Sequence, residues 1–243
     1  MSSQRTFQSI LGKFSGGLEV LKTVTDYHPT KLELQIASLE TLKSDAESKN
    51  AAVVNTATIL QTFRNNRRFI SFRGKETDVN CIENLFKNIA SYIKAELGEK
   101  DAAYQKIRSI IKKINPVKEK KEEPAAGEEP KKSISSSEKS YQSLVGFGSD
   151  VLTLITNLGT AYNPSNTNLT VANFKSKIDE LANLNSAVVK AEADYNAAID
   201  ARDEIYNGNT GINNIIPMIK NYLASLEGGK SNPSYVAFIN AVK

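Results

Sequence analysis

The stretch from Pro29 to Gly74 has a second copy further along the chain, and that repetition restricts the fold more than any other feature. The first copy opens with Tyr27-His28-Pro29-Thr30, passes through Asn50-Ala51-Ala52-Val53-Val54 and ends at Phe72-Arg73-Gly74. Displaced by 135 positions, the chain opens again with Tyr162-Asn163-Pro164-Ser165 and passes through Asn185-Ser186-Ala187-Val188-Val189, and it ends, displaced by 134, at Tyr206-Asn207-Gly208. Val171, Phe174, Ile178, Leu181, Val188, Tyr195 and Ile199 recur at a spacing of three or four, which places them on one helical face. Ile36, Leu39, Ala46, Val53, Ala57 and Leu60 form the matching face of the first copy. No Pro or Gly interrupts Lys31 to Arg73. Each copy therefore predicts one helix of about 40 residues, a rod of roughly 60 Å. Thr30 followed by Glu33 has the form of a capping box, and Gly74 and Gly208 stand where a left-handed cap would end each rod.

The repetition extends beyond the rods. Phe7-Gln8-Ser9-Ile10-Leu11-Gly12 is echoed by Tyr141-Gln142-Ser143-Leu144-Val145-Gly146. A first helix is expected from Thr6 to Asp26, where Gly12, Gly16 and Gly17 permit close approach of a neighbour. A third follows a short loop, with Thr77 and Thr210 as expected N-caps. Its apolar stripe is Val79, Ile82, Phe86, Ile89, Ile93 and Leu97, matched by Ile212, Ile215, Ile219, Tyr222 and Leu226. The fourth and shortest carries Tyr104, Ile107, Ile111 and Ile114, with Asn232-Pro233 as cap and first position of its counterpart. Residues 116–136 hold three prolines, five basic and five acidic side chains and almost nothing apolar, the composition of a disordered linker. The expected architecture is all-α: helical unit 1–115, linker 116–136, helical unit 137–243, each unit built on its long helix.

The Tyr-x-Pro turn, the Lys49-Asn50-Ala51-Ala52-Val53-Val54 segment and the aromatic-x-Gly loop resemble an uncharacterised bacterial family of tandem-duplicated, all-helical proteins. The resemblance covers nearly the whole chain and implies the same duplicated helical fold. It implies no activity and lends no site residues.

Chemistry is limited by residue type. His28 is the single histidine and Cys81 the single cysteine, so no intramolecular disulfide can form and a thiolate or carboxylate–histidine metal site lacks ligands. His28, in a turn before Pro29, reads as satisfied locally, and Cys81 as a small core residue. No phosphate-binding glycine loop is written, and Asp179-Glu180 and Asp203-Glu204 read as solvated faces. No enzyme activity and no cofactor are expected. The N-terminal residues lack an apolar signal core and no run approaches the length of a membrane span, so a cytoplasmic location is expected.

Charge is uneven along the chain. Residues 1–115 hold 18 basic and 12 acidic side chains, and residues 137–243 hold 8 and 10. The densest basic cluster is Arg64, Arg67, Arg68, Arg73 and Lys75, interleaved with Phe63, Phe69 and Phe72. It is the candidate for polyanion or nucleic-acid binding, although cations also suit a helix C-terminus. The apolar segment 144–159 is a candidate for membrane insertion, but it lacks the Lys and Arg of an interfacial helix. Asn50 and Asn185 fall on the apolar seam of the two rods. There an amide sets register at the expense of stability, and the two are expected to bond each other or nearby backbone, or else to face water where the rods bend or open. The function expected from all this is a non-catalytic scaffold or interaction protein that self-associates or binds a protein partner, with polyanion binding and membrane action as alternatives.

Overall fold

A computed structural model describes residues 2–72, 74, 78–115 and 140–243, and among these every regular element is helical. The α-helices are α1 (Ser2–Lys22), α2 (Ile36–Ser71), α3 (Ile82–Leu97), α4 (Ala102–Ile114), α5 (Tyr141–Asn157), α6 (Val171–Asn207), α7 (Ile212–Ala224) and α8 (Pro233–Ala241). The expected linker 116–136 lies outside the described residues, as do Thr77, Arg73 and Lys75.

The long helices are unbroken through Asn50 and Asn185, at 36 and 37 residues. They begin later than the capping-box pattern implies. Leu32–Leu34 and Thr167–Leu169 form 3₁₀ turns before α2 and α6. Lys31, rather than Thr30, caps the first of these turns, and its side chain makes no capping hydrogen bond. A tyrosine fixes each entry instead. The Tyr27 hydroxyl donates to the Leu34 carbonyl at 2.7 Å, and the Tyr162 hydroxyl to the Leu169 carbonyl at 2.6 Å. These bonds satisfy carbonyls at the end of each 3₁₀ turn that no backbone N–H reaches. Burial pushes the phenols of Tyr27 and Tyr162 above their ordinary range.

Other ends follow local chemistry. Asp101 accepts from the N–H groups of Ala103 and Tyr104, Ser140 from that of Ser143, and Asn232 from that of Ser234 ahead of Pro233. Cys81 and Gly211, not Thr77 and Thr210, cap α3 and α7. Val79 consequently falls in a turn and is 78% exposed. Gly98, with φ of 93°, ends α3 in the region that only glycine enters without strain. Gly208 has no positive φ; a Cβ there would collide with the Glu204 carbonyl, so close approach is its reason.

The described chain gathers into two compact units. One comprises residues 1–60 and 190–243, the other 61–189. This division differs from the expected split at the linker, because each unit takes one piece from each sequence half. The boundaries fall inside α2 and α6. In the first unit, Phe14, Leu18 and Leu21 of α1 pack with Leu39 and Ala46 of α2, Tyr206 of α6, Ile212, Ile215 and Ile219 of α7 and Phe238 of α8. In the second, Ile82, Phe86, Ile89 and Ile93 of α3 pack with Ile107 and Ile114 of α4, Leu144 and Val151 of α5 and Phe174 and Leu181 of α6. Each of these large side chains contributes about 1.5–3 kcal/mol by leaving water. Segment 144–159 is therefore mostly α5, whose Leu144, Val151 and Ile155 lie in this core. No described helix is long and apolar enough to cross a membrane.

A set of contacts recurs in the two units. The His28 N–H donates to the Tyr222 hydroxyl at 3.1 Å, and the Asn163 N–H to the Tyr92 hydroxyl at 3.2 Å. The rings of Tyr27 and Tyr222 meet edge to face at 5.2 Å, as do those of Tyr162 and Tyr92. Each contact joins a turn from one sequence half to a third helix from the other.

Candidate functional site

Five cations and two amides were singled out by the sequence, and the structure separates them. Arg64 and Arg68 stand one turn apart on α2 and are exposed. Arg67 turns inward: its guanidinium lies 3.9 Å from the centre of the Tyr141 ring, and its Nε is buried without a hydrogen-bond partner. Tyr141 also meets Phe72, with ring centres 5.2 Å apart. Arg67 is thus committed to packing, where a cation over an aromatic face contributes about 0.5–2 kcal/mol. The arrangement has a counterpart, with Arg202 4.2 Å over the Phe7 ring and Phe7 against Tyr206. Arg73 and Lys75 lie outside the described residues.

The interleaved aromatics do not join the exposed arginines. At 100° per residue, Asn66 and Ile70 project from the opposite side of α2 to Arg64 and Arg68. There Phe63, Asn66, Phe69 and Ile70 line an open groove of about 660 Å³ whose other wall is α6, including Leu184 and Ala187. Polar and apolar side chains share its lining, which includes part of an ion network: Lys177 lies 3.2 Å from both Asp78 and Glu180, and Lys175 lies 2.6 Å from Asp179. Base stacking on Phe63 or Phe69 and phosphate contact by Arg64 or Arg68 would therefore fall on different faces of one helix.

Asn50 is 2% exposed, and its Nδ2 donates to the Tyr206 hydroxyl at 2.8 Å while its Oδ1 has no partner. Burial raises the Tyr206 phenol, against the lowering effect of the Asn50 bond and the Arg202 charge. Both amide atoms of Asn185 are buried without a partner. Asn50 is therefore buried and Asn185 half-buried with its amide atoms enclosed, and the expected partner is replaced by a tyrosine for one amide and by none for the other. The asymmetry has a local cause. The aromatic residue that corresponds to Tyr206 in the first copy is Phe72, which has no hydroxyl to offer, and the adjacent Ser71 donates its own to the Arg67 carbonyl at 2.6 Å.

His28 is exposed in its turn, and Cys81 is fully buried at the start of α3, where burial raises its thiol. No group of three His, Cys, Asp or Glu side chains among the described residues is placed to hold a metal ion.

No protein-family model, curated protein or solved structure matches this chain. The site must be read from its own chemistry.

One cationic surface was not singled out by the sequence reading. Helix α4 carries Lys106, Arg108, Lys112 and Lys113 and no acidic residue within Ala102–Ile114. The signal was present as a run of basic residues between the isoleucines. It was absorbed into the apolar stripe because the stripe alone explains the helix.

Proposed function

We propose that the chain is a non-catalytic helical scaffold, an internal duplication of one four-helix pattern, that assembles through the outer faces of its long helices. The observation that carries this reading is the second valine of each Val-Val pair. Val53 and Val188 are 5% and 2% exposed, as seam residues should be, whereas Val54 and Val189 are 49% and 66% exposed. An exposed valine at the same place in both copies costs solvation that a lysine or glutamate would avoid. Around Val54, the exposed arc of Ala51, Val54, Asn55, Thr58 and Ile59 carries no charge, and Ile59 is 50% exposed. The Thr58 hydroxyl turns back to the Val54 carbonyl at 2.9 Å. Such a surface suits a second helix better than water. The duplicated reading is supported by the paired tyrosine anchors and paired cation–ring contacts described above.

Light scattering across a concentration series tests the assembly. The wild-type chain is expected to exceed the 26.6 kDa of one molecule, and Val54→Glu with Ile59→Glu is expected to return it to that mass with its helical content kept. A wild-type chain that stays at one molecule throughout removes the support for self-assembly.

A further inference from the structure

We propose that the cationic end of unit 61–189, where α4 and the last turns of α2 converge on α5, binds the phosphate backbone of nucleic acid. Two ring contacts define the convergence. Arg67 of α2 lies over Tyr141 at the start of α5, and the Lys113 ammonium lies 5.7 Å from the centre of the Phe147 ring further along the same helix. Around these fixed cations lie exposed ones: Arg64 and Arg68 on α2, and Lys106, Arg108 and Lys112 on α4. Lys106, Lys112 and Arg68 have no carboxylate partner among the described residues. Arg108 reaches Glu99 only at 4.0 Å, and Glu99 is shared with Lys94 at 3.5 Å.

Helix-end electrostatics does not account for this charge. A macrodipole favours cations at any helix C-terminus, yet at the same helical offset α6 places Ile199 and Asp203 where α2 has the exposed Arg64 and Arg68. Likewise α8, the counterpart of α4, contains no charged residue at all. The fold is built with acidic or neutral residues at these positions as readily as with basic ones, so the basic choice in unit 61–189 serves something outside the fold.

The surface suits a phosphate polymer rather than a lipid headgroup layer. The apolar side of α4 is committed to the core, with Ile107, Ile110 and Ile114 at 0%, 5% and 1% exposure, and none of the exposed large apolar side chains belongs to α4 or α5. Neither α4 nor α5 offers an exposed large apolar side chain to a membrane interface, where interfacial helices gain much of their affinity. Lysines act as point charges on phosphates without reading bases, so the binding is independent of sequence.

The test uses the full-length chain with a short fluorescently labelled DNA duplex at low salt, followed by titration to high salt. Binding is expected, with affinity falling steeply as salt rises. Lys106→Glu, Lys112→Glu and Lys113→Glu together should weaken binding more than about tenfold. The milder pair Lys106→Gln and Lys112→Gln, which guards against misfolding, should reduce the slope of log affinity against log salt by about two. A charge-matched control, Lys13→Glu, Lys190→Glu and Lys230→Glu, should retain most of the binding. Absence of binding by the wild-type chain at low salt overturns the proposal, and so does equal loss in the control. Binding to phosphatidylserine vesicles without binding to the duplex overturns it in favour of a lipid surface.

Discussion

The Asn50 amide gives its hydrogen to the Tyr206 hydroxyl, whereas the Asn185 amide is buried with nothing to bond. A buried amide with no partner costs about 1–3 kcal/mol, so its removal should be a gain. Asn185→Leu is expected to raise the melting temperature by a few degrees, since a chain of this size gains about 2–4 °C per kcal/mol. Asn50→Leu is expected to lower it, because the Tyr206 hydroxyl then loses its buried donor. Thermal unfolding of the two single variants checks the contrast, and equal shifts of one sign would contradict it. The burial of Asn50 was legible from spacing alone. The partners of the two amides were not, because the deciding residues, Tyr206 and Phe72, lie at the far end of a long helix from the point where the pattern is read.

Glycines in α1 illustrate how much an element reveals before its neighbours are known. Gly12, Gly16 and Gly17 all weaken a helix equally by intrinsic propensity, and close packing was expected of all three. Only Gly17 is pressed: a Cβ there would come within 2.7 Å of the Phe238 ring and 2.8 Å of Val242, whereas one at Gly12 meets nothing within 4 Å. Gly12→Ala should therefore stabilise by up to about 1 kcal/mol. Gly17→Ala should destabilise, because α8 must shift away from α1 and Phe238 is a core residue. Chemical denaturation of the two variants separates the signs. Helix type and approximate length were evident throughout from apolar spacing. Helix starts were read less well, because the 3₁₀ turns at Leu32–Leu34 and Thr167–Leu169 are fastened by tyrosines seven residues upstream rather than by adjacent caps. The exposed face of α4 was missed for a similar reason, since its charge matters only once its isoleucines are seen to be buried.

The all-helical fold follows from the helical spacing of apolar residues along the chain, but the composition of the compact units does not. Apolar faces of equal quality occur in both halves, and no spacing tells α1 whether to pack on α4 or on α8. The choice rests on shape, as in the fit of Gly17 against Phe238. A consequence can be measured on the intact chain. With a specific protease site inserted within 116–139, cleavage should leave two pieces that elute together and unfold together, because each contributes helices to both units. Separation into two independently folded pieces would contradict the division of the units described here.

The same division sets an order of events during synthesis. Residues 61–189 are contiguous, so that unit holds all its parts once they have left the ribosome. Its partner does not: α1 and the first part of α2 must wait for residues 190–243. At about 5–20 residues per second, the delay across the intervening stretch is roughly ten seconds. Through that interval Phe14, Leu18 and Leu21, each at most 2% exposed in the finished protein, have none of their α6–α8 neighbours. The amino-terminal helix is thus the part of the nascent chain with most reason to be held by a chaperone.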